Sequence, residues 1–127
     1  MTINIEIGIG EAFDRLSILK IKLIEIKDEA KLMNIQKEHD LLVSHIERLE
    51  NKDELITLYD ELYDVNYDLW DIENELRAME RNNIFDELFV ETARNVYIKN
   101  DLRAKIKKKI NLLYSSDIIE EKSYENY

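Results

Sequence analysis

Hydrophobic residues recur along most of this chain at alternating spacings of three and four, the period of an amphipathic α-helix. The pattern first appears at Ala12, Leu16, Leu19, Leu23 and Ile26, with Phe13, Ile18, Ile21 and Ile24 widening the apolar face. It predicts a helix that begins around Gly8 to Gly10 and runs to about Lys27. Asp28 is placed to cap a second helix, whose seam Leu32, Ile35, His39, Leu42, Ile46 and Leu49 continues to about Glu50. So short a turn between them predicts an antiparallel hairpin. The cleanest signal is the third: Leu55, Leu58, Leu62, Val65, Leu69, Ile72, Leu76 and Met79 keep the spacing from Asp53 to Glu80. A helix of that length is roughly 40 Å long and should be the spine of the fold.

After the Arg81-Asn82-Asn83 turn the pattern splits. Phe85, Phe89, Ala93 and Val96 set one phase, and Ile98, Leu102, Ile106, Ile110 and Leu113 set another. A straight helix does not serve both phases. A break is therefore predicted at Lys99-Asn100-Asp101, with Asn100 or Asp101 capping a basic helix over 102–114.

The two ends depart from the helical period. Ile3, Ile5, Ile7 and Ile9 alternate with Asn4, Glu6 and Gly8, the period of a half-buried strand. Such a strand needs a partner, either a second copy of itself or the tail "SDIIEEKSY". An extended arm lying on the bundle is the alternative. Residues 115–127 read as a tail that docks through Ile118 and Ile119. The fold class is all-α: one domain over 1–127, an antiparallel helical bundle with a long central helix, a broken fourth helix and a short extended N-terminal arm over 1–9.

Composition narrows the chemistry. With no Pro and only two Gly among 127 residues, little punctuates the chain after its first ten positions. The absence of Cys removes disulfides, thiol nucleophiles and thiolate metal sites. The start lacks a basic n-region with an unbroken apolar stretch, and no run approaches the roughly 20 apolar residues of a membrane span. The expectation is a cytoplasmic protein with no membrane partner. A formal net charge of -10 argues against nucleic-acid binding.

That charge is unevenly distributed. Helix 3 sets Asp53, Glu54, Asp60, Glu61, Asp64, Asp68, Asp71, Glu73, Glu75 and Glu80 against Arg77 alone, whereas Lys99, Arg103, Lys105, Lys107, Lys108 and Lys109 face only Asp101 in their stretch. Pairing these segments across an antiparallel contact is the simplest use of the cations. The stripe Asp60, Asp64, Asp68, Asp71 and Glu75 lies nearly opposite the apolar seam and reads as a solvated face rather than a metal site. His39 and His45 are six residues apart, on different faces, and do not form a metal pair. Neither histidine has a spacing that would activate Ser17 beside Asp14, so no catalytic residue is assigned, and no cofactor.

Tyr59, Tyr63, Asn66, Trp70, Glu73 and Arg77 share one edge of helix 3, an aromatic-to-polar stripe. Arg103 and Lys107 lie one turn apart on the basic helix, while Lys105, Lys108 and Lys109 point more outward. If those edges meet, Trp70 and Asn66 with Glu73, Arg103 and Lys107 line a polar cleft suited to an anionic or sugar-like ligand. The other reading is an internal salt-bridge network under a packed indole.

The segments "GEAFDRLSILKIKLIEIKD", "VNYDLWDIENELR", "FDELFVETARNVYIKNDLRAKIKKKIN" and "EEKSY" resemble a domain-of-unknown-function family of small helical proteins from bacteria and their phages or viruses. Some members stand beside or joined to glycosyltransferase or tetratricopeptide modules in cell-surface polysaccharide loci. The resemblance covers most of the chain and brings no activity with it. It points to Asp14, Ser17, Asn66, Trp70, Glu73, Arg94, Tyr97, Asn100, Asp101, Arg103, Lys107, Asn111, Glu120, Glu121, Lys122 and Tyr124. Arg15 stands where a lysine is common, and the strand-like start lacks the proline that relatives often show. The ligand-binding candidates are thus Asn66, Trp70, Glu73, Asn100, Arg103 and Lys107. The expected function is a non-enzymatic binding or interaction module, accessory to glycan or nucleotide-sugar metabolism and working as a homodimer, with a protein or an anionic or sugar ligand as partner. Two alternatives stand beside it. One is a helical-bundle enzyme acting on a phosphorylated or nucleotide ligand, with Glu73 as base and Arg103 and Lys107 as anion clamps. The other is a structural coiled-coil dimer using the helix 3 seam.

Overall fold

A computed structural model describes residues Met1–Tyr127 as four helices: α1 (Ile9–Glu25), α2 (Glu29–Ile46), α3 (Asp53–Arg81) and α4 (Glu87–Leu113). The chain is all-helical, with no strand. α1, α3 and α4 pack on one another in every pairing, and α2 packs on α1 alone. The core lies where the three meet, around Phe13, Leu16, Leu62, Val65, Ile106 and Ile110. No helix is long and apolar enough to cross a membrane.

The helix ends follow from local chemistry. Asp28 accepts a hydrogen bond from the Lys31 amide at 2.9 Å, the cap expected from its position, and Asp86 does the same for Phe89 at 3.1 Å. α3 and α4 end in Schellman motifs, which satisfy carbonyls that the helix leaves unpaired. The Ile84 amide donates to the Met79 carbonyl and the Ser116 amide to that of Asn111, at 2.9 and 2.8 Å. Asn83 and Ser115 hold the left-handed position at φ 54° and 51°, where chains with more glycine would place it.

The N-terminus of α1 is capped from a distance. Gly8 precedes the helix and offers no side chain, so the Gly10 amide donates to Asn111 Oδ1 at 2.7 Å and the Ile9 amide to Ser116 Oγ at 3.2 Å. Gly10 also lies directly against the α4 backbone. A Cβ there would lie 2.2 Å from the Lys107 carbonyl oxygen, a distance no side chain tolerates.

Four expectations need correction. α4 is one continuous helix, not a broken one, and neither Asn100 nor Asp101 caps a helix. Its inward stripe after Val96 runs through Asn100, Arg103, Ile106, Lys107, Ile110 and Asn111, while Ile98 and Leu102 are exposed. The apparent phase shift arose because polar side chains occupy positions where apolar ones were sought. Second, residues 3–9 form no strand: the chain enters α1 at Ile9, and Ile3 and Ile5 are 83% and 68% exposed with no strand beside them. Third, the α3 acids are not the main partners of the α4 cations. Only Lys99, on Asp68 at 2.9 Å, bridges α4 to α3. α2 also stops at Ile46, short of Glu50.

Candidate functional site

The buried face of α1 carries polar residues one helical turn apart, because α1 must present something to the Arg103 and Lys107 side of α4. Asp14 and Ser17 are almost wholly enclosed. Burying a carboxylate is costly unless it is paired and hydrogen-bonded. Here the guanidinium of Arg103 spans it, Nε donating to Asp14 Oδ1 at 2.8 Å and Nη2 to Oδ2 at 2.5 Å. From α3, the Asn66 amide donates to Asp14 Oδ1 at 2.9 Å and to Ser17 Oγ at 2.7 Å. Ser17 in turn donates to the Asp14 carbonyl at 2.7 Å. One carboxylate on α1 therefore ties α3 to α4, and the two-point contact fixes the plane of the guanidinium.

One turn away, Lys107 Nζ lies 2.6 Å from Glu11 Oε2 and 3.1 Å from Glu120 Oε2, with Asp14 Oδ2 at 3.9 Å. Glu11 also holds Arg15 at 2.9 Å. Burial works against the Glu11 charge, yet the hydrogen bonds from Lys107 and Arg15 outweigh it and hold the carboxyl below its ordinary range. Burial likewise opposes the Lys107 charge, and its bonds to Glu11 and Glu120 reverse that, so the ammonium titrates above the usual lysine range. The Asp14 hydrogen bond, working against burial, raises Arg103 further.

The tail turns back along α4 after its Schellman turn. Glu121 pairs with Lys108 at 3.0 Å, Lys122 with Asp101 at 2.6 Å, and the Tyr127 ring stands edge-on to Tyr97 at 5.2 Å between centroids. Of the α4 cations, Arg103, Lys107 and Lys108 thus serve α1 and the tail, and Lys99 serves α3.

Two clefts open on either side of Arg103. The first, about 470 Å³, is lined by Asn66, Trp70 and Glu73 from α3, Ile18 and Ile21 from α1, and Asn100 and Arg103 from α4. Five of the six ligand-binding candidates meet there. Trp70 is half-buried, and Glu73 is exposed at the rim with Arg77 hydrogen-bonded to its carboxylate. The sixth, Lys107, lies outside this cleft and borders the second, of about 790 Å³, between α4 and the tail. Asn100 and Arg103 line both clefts, and Arg103 Nη1 lies 3.4 Å from Asn100 Oδ1. Asn100 and Arg103 are thus the polar residues the two clefts share.

Most residues singled out by the resemblance converge on this region: Asp14, Ser17, Asn66 and Arg103 in the buried network, Asn111 at the α1 cap, Glu120, Glu121 and Lys122 along the tail, and Tyr97 and Tyr124 at the second cleft. Arg94 is exposed on α4 and lines neither cleft. Sequence reasoning did not find Glu11, Gly10 or Ser116. Their roles depend on contacts 96 to 107 residues away in the chain, and no local spacing signals them. The acidic stripe of α3 is exposed throughout, and nowhere do three His, Asp or Glu side chains converge as a metal cage.

No curated protein and no solved structure matches the chain. A family model matches residues 3–127, nearly the full length, and the chain belongs to that family, described as a family of unknown function, DUF6165.

Proposed function

We propose that the chain is a non-enzymatic binding module whose α1/α3/α4 cleft receives a sugar-like ligand with an anionic group, in a role accessory to glycan or nucleotide-sugar metabolism. The carrying observation is the company of Trp70. Its half-buried indole shares a cleft with Asn66, Glu73, Asn100 and the Asp14-anchored Arg103. An indole face stacks on the apolar face of a sugar ring or on a base, amide and carboxylate groups meet hydroxyls, and a fixed guanidinium receives an anion. Because Asp14 already holds Arg103 in place, little ordering cost remains for the ligand to meet. Glu73 is exposed and paired with Arg77, a setting that suits hydroxyl recognition better than proton abstraction.

A thermal-shift screen against nucleotide sugars, nucleotides, polyanions and divalent ions tests this reading, since a ligand of the native state raises the melting temperature. A shift with nucleotide sugars is expected. A shift with nucleotides plus divalent ions alone favours the enzyme alternative, and silence across the sugars refutes the proposal. We place the module in the cytoplasm and read it as a homodimer, with the exposed Met1, Ile3 and Ile5 supplying the contact. Deleting residues 1–7 then lowers the dimer fraction in sedimentation. An unchanged monomer before and after deletion refutes the dimer.

A further inference from the structure

Where α1, α4 and the tail meet, three cations face three carboxylates: Arg15, Arg103 and Lys107 against Glu11, Asp14 and Glu120. The set balances only when Glu120 is counted. Glu11 and Asp14 belong to α1, with side chains 26% and 2% exposed. Glu120 is unlike them. Its side chain is 62% exposed, and it sits on a segment, residues 117–127, whose amides and carbonyls form no backbone hydrogen bond with the rest of the chain. Side-chain contacts hold that segment down: the Ser116 hydroxyl on the Ile118 carbonyl, the Tyr127 ring against Tyr97, the Lys107–Glu120 pair, and the Glu121 and Lys122 ion pairs at the surface, which contribute little.

We propose that Glu120 occupies a seat for the oxyanion of an exogenous ligand, which displaces the tail and binds Lys107 Nζ beside Arg103. With Glu120 gone the network carries one net positive charge. That charge is centred on the Lys107 ammonium, which is 11% exposed with the tail seated and stays anchored by Glu11 at 2.6 Å when the tail leaves, so it meets an incoming oxyanion with a charge-assisted bond. The seat opens into the larger cleft, which shares Asn100 and Arg103 with the Trp70 cleft, so an anion bound at Lys107 adjoins the sugar-receiving cleft. The inference takes its ligand class from the binding reading above. The seat itself does not depend on Trp70.

A phosphate ester and the carboxylate of an acidic sugar both supply such an oxyanion, and two probes separate them. Inorganic phosphate and glucuronate are titrated at constant ionic strength into the full chain and its Glu120→Gln and Glu121→Gln variants, with affinity read from the rise in melting temperature. Glu120→Gln is expected to bind one probe roughly tenfold more tightly than the wild type, the scale of one charge-assisted bond no longer contested by the tail. Glu121→Gln, which releases only the outward Lys108, should match the wild type. A gain with phosphate alone assigns a phosphorylated ligand, and a gain with glucuronate alone an acidic sugar. No gain with either probe, or an equal gain in Glu121→Gln from diffuse charge, overturns the proposal. If nucleotide sugars leave the wild type unmoved while Glu120→Gln keeps its gain, the sugar reading fails and the seat stands.

Discussion

The Asp14–Arg103 pair sets a specific energetic expectation. Changing Asp14 to Asn keeps the side chain's volume but removes a charge that meets Arg103 Nε at 2.8 Å and Nη2 at 2.5 Å and has Lys107 within 3.9 Å. The new amide also turns a donor toward donors. Breaking a buried pair from one side costs about 3–5 kcal/mol. The Arg103 side chain is 29% exposed, so water reaches the stranded cation and the loss should fall lower, at about 2–3 kcal/mol. Arg103→Gln strands the other partner, a carboxylate side chain only 2% exposed, and should cost more, about 3–4 kcal/mol. Against typical stabilities of about 5–15 kcal/mol, both losses are large. Urea denaturation of the two single variants and the double variant, at neutral pH and without ligand, measures them and their coupling. Losses below about 0.5 kcal/mol, or strictly additive effects, would mean that the pair does not join α1 to α4.

Three further outcomes follow from the same contacts. Gly10→Ala places a Cβ 2.2 Å from the Lys107 carbonyl oxygen and should cost several kcal/mol, on the order of an overpacked core site, read by urea midpoint; a neutral result would contradict the close α1–α4 approach. Ser115→Gly relieves a left-handed residue at φ 51° and should raise stability by about 0.5–1 kcal/mol in calorimetry, whereas a loss would speak against the Schellman turn. Glu11 titrates below its ordinary 4.5, so its contribution is present above that value and lost as pH falls through the lowered folded value. Lys107 titrates above its ordinary 10.5, so its contribution is present below that value and lost as pH rises through the raised one. Stability against pH should therefore hold a plateau between those limits, and Lys107→Met should flatten both edges; edges identical to the wild type would refute this linkage.

How much of this was legible in the sequence depended on whether burial and apolarity coincide. In α3 they do: Leu62 and Val65 are buried and Leu55, Leu58, Leu69, Ile72 and Leu76 half-buried, so three-four spacing located the helix to within a residue at its end. In α4 they part company after Val96, where Arg103, Lys107 and Asn111 point inward while Ile98 and Leu102 face water, and an apolar count read a continuous helix as a broken one. The polar edge of α3 was visible for the same reason that α3 was, and its Asn66, Trp70 and Glu73 line one cleft together with Asn100 and Arg103. The carboxylates that hold the α4 cations were not visible. Charge totals suggested the acidic α3, but geometry gives the role to Glu11, Asp14 and Glu120, because α3 turns its acids outward to solvent.

Trp70 is the only tryptophan in the chain, so its emission reports on the candidate cleft without labelling. Titrating nucleotide sugars into the wild type and Arg103→Lys, with fluorescence as the readout, tests the ligand-binding reading most directly. The variant keeps the positive charge but loses the planar fork that Asp14 holds. The account predicts a saturable change in Trp70 emission in the wild type and a several-fold weaker one in the variant. Emission that stays constant across the series, or a response identical in both proteins, would contradict it.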